Sequence, residues 1–297
     1  MISPFPQKSP VSRQVLGMSA VFCSTFCFYL ATVIIRLAES EVEIESSYFV
    51  FGRFLLGFLV VSTTMIIRKQ RFKPVKYHYL IGRTAANTVA VFCFYKAIET
   101  GSVAEANILN MTYPLFVALF SWFLIRKQRD TIALAIVGVA FAGIWMILSP
   151  ADMALRGDNI WGLSSGITAA AAMIYLNISR RYHDSQTILL FMFGFGALGI
   201  LLLFHHSIFF PDSREFLFLF ACSAVGVAGQ YLLTFGFLYV TAVEGSIISS
   251  SRILLAALLG PVLVSDPPLA LSGWCGALLI FLANSALALR KSKVMAS

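Results

Sequence analysis

The chain has 297 residues, of which 59% are hydrophobic and only 12% are charged, and its mean hydropathy is +0.83. This composition excludes a water-soluble globular domain, because a folded surface needs more charge to stay dissolved. The net charge of +8 would favour nucleic-acid binding in a soluble chain, but the basic loops of a membrane protein account for it. We therefore expect contact with membrane lipid and no nucleic-acid partner.

Ten apolar stretches follow one another along the chain, each close to the length of about 18 or more residues that is typical of a transmembrane helix. The first lacks a small-residue cleavage site, so no cleavable signal peptide is expected. The connecting segments are too short to fold alone, so residues 1–297 are predicted to form one integral domain, an all-α polytopic membrane protein. The approximate limits of the ten spans are 15–37, 47–67, 77–97, 104–125, 131–149, 160–178, 185–204, 217–240, 244–264 and 269–289.

The basic residues are divided unequally between the two sides of these spans. One set of loops, together with both tails, holds 15 Lys and Arg residues, and the opposite set holds only Arg156 and Arg214. Most of the excess lies in RKQRFKPVK at Arg68–Lys76 and RKQRD at Arg126–Asp130. Basic loops remain on the cytoplasmic side of a membrane, so both termini are expected to be cytoplasmic.

The chain contains an internal repeat with an offset of 139 residues. FYKAIETGSVAEANILNMTYPLFVALF (Phe94–Phe120) aligns with LTFGFLYVTAVEGSIISSSRILLAALL (Leu233–Leu259), which places Glu105 on Glu244. The halves are then 15–149 and 160–289, with five spans each. Because five is odd, the two halves must cross the membrane in opposite senses. Inverted repeats around a site at the midplane are typical of secondary transporters.

Several of these features together resemble a known family over nearly the whole chain. The ten spans, the RFLL opening of span 2 at Arg53–Leu56, the short hairpins 3–4 and 8–9, and the segment FYKAIETGSVAEANILNMTYPLFVALFSWFL resemble the drug/metabolite transporter superfamily of EamA type. Within it, the chain is most similar to YddG-type exporters of aromatic and other amino acids. One departure is Ile253, which stands where the repeat places Pro114, so a symmetrical proline hinge is not expected.

The resemblance implies a function. It implies a secondary transporter of the bacterial inner membrane that works by alternating access without ATP and acts as a monomer. Its substrates would be amino acids, aromatic and other neutral ones, and related small metabolites, moved in the export direction. A phosphorylated-sugar, nucleotide-sugar or drug carrier of the same superfamily is the alternative. The phosphorylated substrates would need paired cations at the midplane, where only Arg252 is expected.

Polar residues inside the spans are the candidates for the substrate pathway, because polar groups rarely face lipid. In span 4, Asn107 and Asn110 share one face, and the repeat carries this face onto Ser246 and Ser249 beside Ser250 in span 9. Close helix packing through small residues would produce the same pattern, so both interpretations stay open. The predicted pathway comprises Asn87, Tyr95, Asn107, Asn110, Tyr175, Gln230, Tyr231, Thr234, Ser246, Ser250 and Arg252.

Five cations fall within the predicted spans. Arg36 and Lys96 are near span ends and are expected to extend to the membrane surface, as Arg83 could also do. Arg53 is deeper, and Arg252 lies nine residues into span 9 beside three serines. A cation in that place predicts a partner, which could be a substrate carboxylate or another part of the bundle.

Other motifs predict no chemistry. Glu105 and Glu244 begin their spans, where an acid stabilises a helix N-terminus, so capping is favoured over proton coupling. The GxGxxG at Gly194–Gly199 lies inside a span and lacks the strand that a dinucleotide site needs, so it predicts close helix packing or flexibility. We find no phosphate-binding loop, metal-ligand cluster or nucleophile elbow. An enzyme, a cofactor, a bound metal and a membrane receptor are therefore not expected.

Overall fold

The computed structural model describes residues 10–124, 131–148, 157–236, 239–240, 242–265 and 267–296. All regular structure in these ranges is helical. The helices in chain order are α1 Pro10–Glu39, α2 Ser46–Ile67, α3 Tyr77–Thr100, α4 Val103–Asn110, α5 Tyr113–Leu124, α6 Thr131–Leu148, α7 Gly157–Ser179, α8 Ser185–Leu203, α9 Ser213–Gly236, α10 Ala242–Leu263 and α11 Leu271–Ala296, with a short 3-10 helix His205–Ser207 after α8.

Each of the ten predicted spans coincides with helix in the described residues. Five helical stretches are long and apolar enough to cross a membrane: Arg13–Glu39, Ser46–Ile67, Val103–Phe120, Ser185–Leu203 and Ser213–Gly236. Shorter apolar helices cover Leu134–Ile147, Ile248–Leu263 and Leu271–Leu287. The chain is therefore an all-helical integral membrane protein. The basic loop at Arg126–Asp130 lies outside the described residues.

The predicted fourth span, 104–125, is not one continuous helix: α4 ends at Asn110 and α5 begins at Tyr113. Pro114 explains the break, because proline has no N–H to bond the carbonyl of Asn110 and its ring clashes with that carbonyl. The Leu115 N–H bonds the Thr112 carbonyl at 2.9 Å. A regular helix would have bonded it to Met111, so the Met111 carbonyl is left free within the bundle.

Asn284 of α11 satisfies this freed carbonyl. Its Nδ2 donates to the Met111 oxygen at 2.8 Å, and the side chain is 1% exposed. Lipid supplies no donor to replace a lost partner, so backbone groups at a helix break must be satisfied by the protein. Asn284 is therefore what allows the α4–α5 break to exist inside the membrane.

We expect Asn284→Leu to destabilise the protein by about 1–3 kcal/mol, the cost of a buried carbonyl without a donor. Thermal unfolding of purified protein in detergent measures this as a lowered Tm. Asn87→Leu is the matched control, because Asn87 is half-buried and makes no hydrogen bond among the described residues. An unchanged Tm for Asn284→Leu would show that the broken helix needs no support from α11.

The halves of the chain pack on each other through four long helix pairs: α3 with α7, α1 with α9, α2 with α8, and α6 with α11. Glycines permit the closest approaches. A Cβ on Gly143 of α6 would lie 2.8 Å from the Gly276 oxygen of α11, and a Cβ on Gly276 would lie 2.6 Å from the Gly143 oxygen. Backbones can approach in this way only where small residues face each other.

The GxGxxG motif is part of the same packing. It lies inside α8, where Gly194 faces the Phe58 ring and Gly196 faces the Phe54 ring, at 2.8–2.9 Å from where a Cβ would be. Gly194 and Gly196 are therefore helix contacts, whereas a Cβ on Gly199 would meet no described atom within 4 Å.

His183 ties two loops together at the end of the molecule where α2 and α7 end. Its Nε2 accepts from the backbone N–H groups of Val75 and Lys76 at 3.1 and 3.2 Å, and its Nδ1 faces the Ser179 carbonyl at 3.1 Å. The ring is 7% exposed. His183 is thus a buried connector between the loop before α3 and the end of α7.

Candidate functional site

Arg252 is buried in the middle of α10, with 6% of its surface exposed. Its guanidinium donates to Asn110 Oδ1 and lies 5.1 Å from the centroid of the Phe94 ring. Asn110 in turn donates from Nδ2 to Ser165 Oγ of α7 at 3.0 Å. Because Asn110 is the last residue of α4, this chain of hydrogen bonds joins α10, the break in span 4, and α7.

Arg53 of α2 is the second buried cation, with 7% exposed. It donates to the Tyr95 hydroxyl at 3.0 Å, and its guanidinium lies 5.3 Å from the centroid of the Phe28 ring. Gly226 of α9 makes room for it, since a Cβ there would lie 3.2 Å from Arg53 Cδ. The Cys222 thiol is 3.9 Å from the same Tyr95 hydroxyl.

The two arginines belong to one cluster. Phe94 and Tyr95 are consecutive on α3, and one contacts each guanidinium. The two guanidiniums are therefore held at neighbouring positions of α3. We call Arg53, Tyr95, Asn110, Ser165 and Arg252 the central cluster.

Among the described residues, the central cluster holds two positive charges without a negative one. Within the described part of the chain, neither arginine forms an ion pair, and the Nε of each lacks a hydrogen-bond partner. Leaving a buried charge uncompensated is costly, and rings and amides offset only part of that cost. Guanidinium groups bind carboxylates and phosphates through paired hydrogen bonds, so the cluster is suited to an anion.

Of the predicted pathway residues, Tyr95, Asn110 and Arg252 are brought together in the central cluster. Asn107 is fully buried and donates to Thr32 Oγ1 of α1 at 3.3 Å and to the Val103 carbonyl at 2.8 Å. Ser250 is 1% exposed, whereas the Ser246 side chain lies outside what the structure describes. The contacts of Asn107 are those of helix packing.

The other predicted residues lie elsewhere. Tyr175 is 37% exposed and lies over Gly82, where a Cβ would be 2.5 Å from the Tyr175 ring. Thr234 donates to the Gln230 carbonyl of its own helix at 2.8 Å. Asn87 and Tyr231 are half-buried on α3 and α9. The structure places none of these five in direct contact with either arginine among the contacts it describes.

The remaining cations in the predicted spans differ in burial and in their partners. Arg36 pairs with Glu39 at 2.7 Å and Lys96 pairs with Glu99, each at the end of its helix, as expected for residues near the membrane surface. Arg83 is only 5% exposed, so the interpretation that it extends to the surface is wrong. It lies on α3, the helix that packs most extensively against α7.

Sequence reasoning ranked Arg53 below Arg252 and missed Ser165 and Asn284. Arg53 is near the outer third of span 2, so depth alone did not distinguish it from a residue at the membrane surface. Asn284 is a lone amide in an apolar span, which is the signal that could have found it.

Two cavities lie at opposite ends of α3. One, of about 360 Å³, lies beside the start of α4 and is lined by Arg36, Ser102, Glu105 and Asn159 among others. The other, of about 580 Å³, is lined by Lys69, Arg71, Lys73 and His183 among others. Both have charged side chains in their lining, and the buried central cluster lies between these two ends.

Comparisons with known proteins agree with this architecture. The model of the EamA-like transporter family matches residues 15–149 and again residues 158–288. An uncharacterized transporter of Helicobacter pylori is 25% identical over 93% of this chain and 95% of its own length. The pseudopaline exporter CntI of Pseudomonas aeruginosa is 24% identical over 76% of this chain and 80% of its own length.

Similarity extends to eukaryotic proteins and to a solved structure. Human solute carrier family 35 member G1 is 25% identical over 46% of this chain and 37% of its own length. A crystal structure of another protein superposes with a TM-score of 0.58 at 18% identity, over 97% of this chain and 100% of the other, a likeness that concerns the fold. The two family matches together cover most of the 297 residues, and the chain therefore belongs to the EamA-like transporter family.

Proposed function

We propose that this protein is a secondary transporter that moves amino acids and related carboxylate-bearing metabolites across the bacterial inner membrane by alternating access, in the direction of export. The observation that carries the proposal is Arg252, a buried cation at the middle of α10 that bonds the last residue of a broken helix. Broken helices at the midplane are where many secondary transporters bind their substrates. The export direction is favoured by the similarity to YddG-type proteins and by the relative named as a pseudopaline exporter.

Alternating access needs two halves that move against each other, and the helix pairs support an inverted repeat. Exchanging α1, α2 and α3 with α7, α8 and α9 turns the α1–α9 pair into the α7–α3 pair and the α2–α8 pair into itself. The offset of 139 residues makes Arg252 the equivalent of Tyr113, the first residue of α5 after the break in span 4. The double family match, at 15–149 and 158–288, divides the chain at the same place.

The proposed orientation places both termini in the cytoplasm, from the unequal loop charges, and the protein is proposed to act as a monomer. The cavity beside the start of α4 then opens to the outside, and the cavity lined by Lys69 and Arg71 opens to the cytoplasm.

A carrier of phosphorylated sugars is the second candidate. It requires paired cations, and the buried Arg53 and Arg252 of the central cluster supply them.

Uptake into liposomes tests the proposal. Purified protein is reconstituted and exposed to radiolabelled amino acids, with and without a pH gradient, against protein-free liposomes. We expect saturable accumulation of at least one carboxylate-bearing compound. If none of the amino acids or phosphorylated sugars enters above the protein-free level, in vesicles with the protein in either orientation, the proposed function is wrong.

A further inference from the structure

We propose that Arg53 and Arg252 together form one binding site for a small organic anion with two acidic groups, either a dicarboxylate or a phosphate monoester. This inference rests on the proposed function and names the class of substrate that the pathway takes. It narrows the candidate amino acids from neutral ones to acidic ones. The geometry behind it is the pair of buried guanidiniums, each with a free Nε.

The two arginines reach the cluster from different halves of the chain. Arg53 is the eighth residue of α2, and Arg252 is the eleventh residue of α10. At 1.5 Å per residue they lie about 10 Å and about 15 Å from the ends at which their helices begin. α2 belongs to the first half and α10 to the second, so an anion bound by both arginines would bridge the two halves.

Each arginine is held by neutral groups that leave bonding capacity unused. Arg53 has Tyr95 and the ring of Phe28, and Arg252 has Asn110 and the ring of Phe94. A guanidinium carries five N–H donors in a planar fork. One hydrogen bond from each guanidinium to the described residues leaves most of the fork available to an oxyanion.

A neutral zwitterion matches this cluster poorly. Its ammonium group needs an acceptor such as a carboxylate, and no Asp or Glu pairs with either arginine among the described residues. The rings that could receive an ammonium by a cation–π contact, Phe28 and Phe94, already lie under the two guanidiniums. Two anionic groups also compensate two buried positive charges better than one does.

The competing explanation is that Arg53 only ties α2 to α3 through Tyr95. Removing Arg53 would then weaken the binding of every substrate equally, because it disturbs the fold. A role in binding predicts instead that its removal weakens only the binding of compounds that carry the second acidic group. Matched pairs of compounds separate the two explanations.

The experiment measures how strongly glutamate and glutamine inhibit the uptake of the radiolabelled compound that the liposome assay identifies. The two inhibitors differ in one carboxylate and are nearly equal in size. Succinate against butyrate repeats the comparison without an amino group, and glucose 6-phosphate against glucose tests the phosphate source. We expect the wild type to bind the more acidic member of at least one pair at least about tenfold more tightly, since a charged hydrogen bond is worth that much. The pair that shows the preference identifies the source of the second charge.

In Arg53→Gln this preference is expected to fall to less than about threefold, while inhibition by the less acidic member stays near the wild-type value. Arg214→Gln is the matched control, because Arg214 is an exposed arginine with 78% of its side chain in contact with solvent. Arg53→Lys keeps the charge without the fork and is expected to retain part of the preference.

Four results would overturn the inference. One is equal inhibition within every pair in the wild type, which decides the matter even if Arg53→Gln does not reach the membrane. Another is an Arg53→Gln protein that keeps the full preference. The third is an Arg53→Gln protein in which inhibition by both members of the pair is weakened equally. A wild type that transports neutral amino acids but ignores dianions would refute this site while leaving the proposed function intact.

Discussion

Arg252→Ala is expected to abolish transport while leaving folded protein in the membrane. The alanine removes a guanidinium that is 6% exposed and contacts both the end of α4 and the Phe94 ring. A hydrogen bond to a charged group contributes about 1.5–3 kcal/mol, and a bidentate contact to a substrate carboxylate would contribute more than one such bond. The liposome assay should therefore show a loss of at least about tenfold in apparent affinity or in rate.

Arg252→Lys should recover little of this loss, because an ammonium lacks the planar fork that binds a carboxylate through two bonds. Arg214→Ala controls for the removal of an arginine far from the cluster. The amount of each variant in the membrane and its elution as a single species in detergent report on folding. If the alanine variant is missing from the membrane, or if it transports normally, Arg252 is a structural partner of Asn110 and not a substrate ligand.

The positions of the helices could be predicted from the sequence because length and hydropathy decide them. An apolar run of about 20 residues has few alternatives to a helix in lipid, and each predicted span coincides with helix. The break at Met111 could have been predicted from Pro114, because proline interrupts helical hydrogen bonding. Its position was harder to predict, because the freed Met111 carbonyl is bonded by Asn284, about 170 residues away.

The central cluster could be predicted only in part. Arg252 stood out because serines surround it near the middle of its span. Arg53 did not, because its importance comes from meeting Tyr95 of α3 and Gly226 of α9, and such meetings depend on packing between distant segments. Tyr175, by contrast, had the polarity of a lining residue and lies against Gly82 with over a third of its surface exposed.

The broken helix makes the two halves unequal. α4 and α5 are separate around Met111, whereas α10 runs unbroken through Ile253, which occupies the position equivalent to Pro114. On one side of the cluster the Asn110 carbonyl lacks its helical donor, because Pro114 has no N–H, and the other side offers the side chain of Arg252. An asymmetric site of this kind suits a substrate whose two ends differ.

Single cysteines test whether this cluster is reached alternately from the two sides of the membrane. Asn110 is the last residue of α4 and lies about 10 Å from the start of that helix. Ser250 is the ninth residue of α10 and lies about 12 Å from the start of that helix. In the proposed orientation these helices begin on opposite sides of the membrane. Asn110→Cys should therefore react with a membrane-impermeant thiol reagent from outside, through the cavity lined by Ser102 and Glu105, and Ser250→Cys mainly from the cytoplasm.

The measurement uses a background with the five native cysteines replaced, because Cys23 and Cys275 are exposed. Ser246→Cys joins Ser250→Cys as a cytoplasmic-side probe, and Asn107→Cys joins Asn110→Cys on the outside. Substrate should change the reaction rates of the outside probes and of the cytoplasmic-side probes. The two changes should be opposite if substrate favours one open state, because opening to one side closes the other. Asn107 is the more demanding position, since its bonds to Thr32 and Val103 are those of a packed helix contact. If none of the four cysteines reacts from either side, with or without substrate, these faces are dry helix contacts and the pathway lies elsewhere in the bundle.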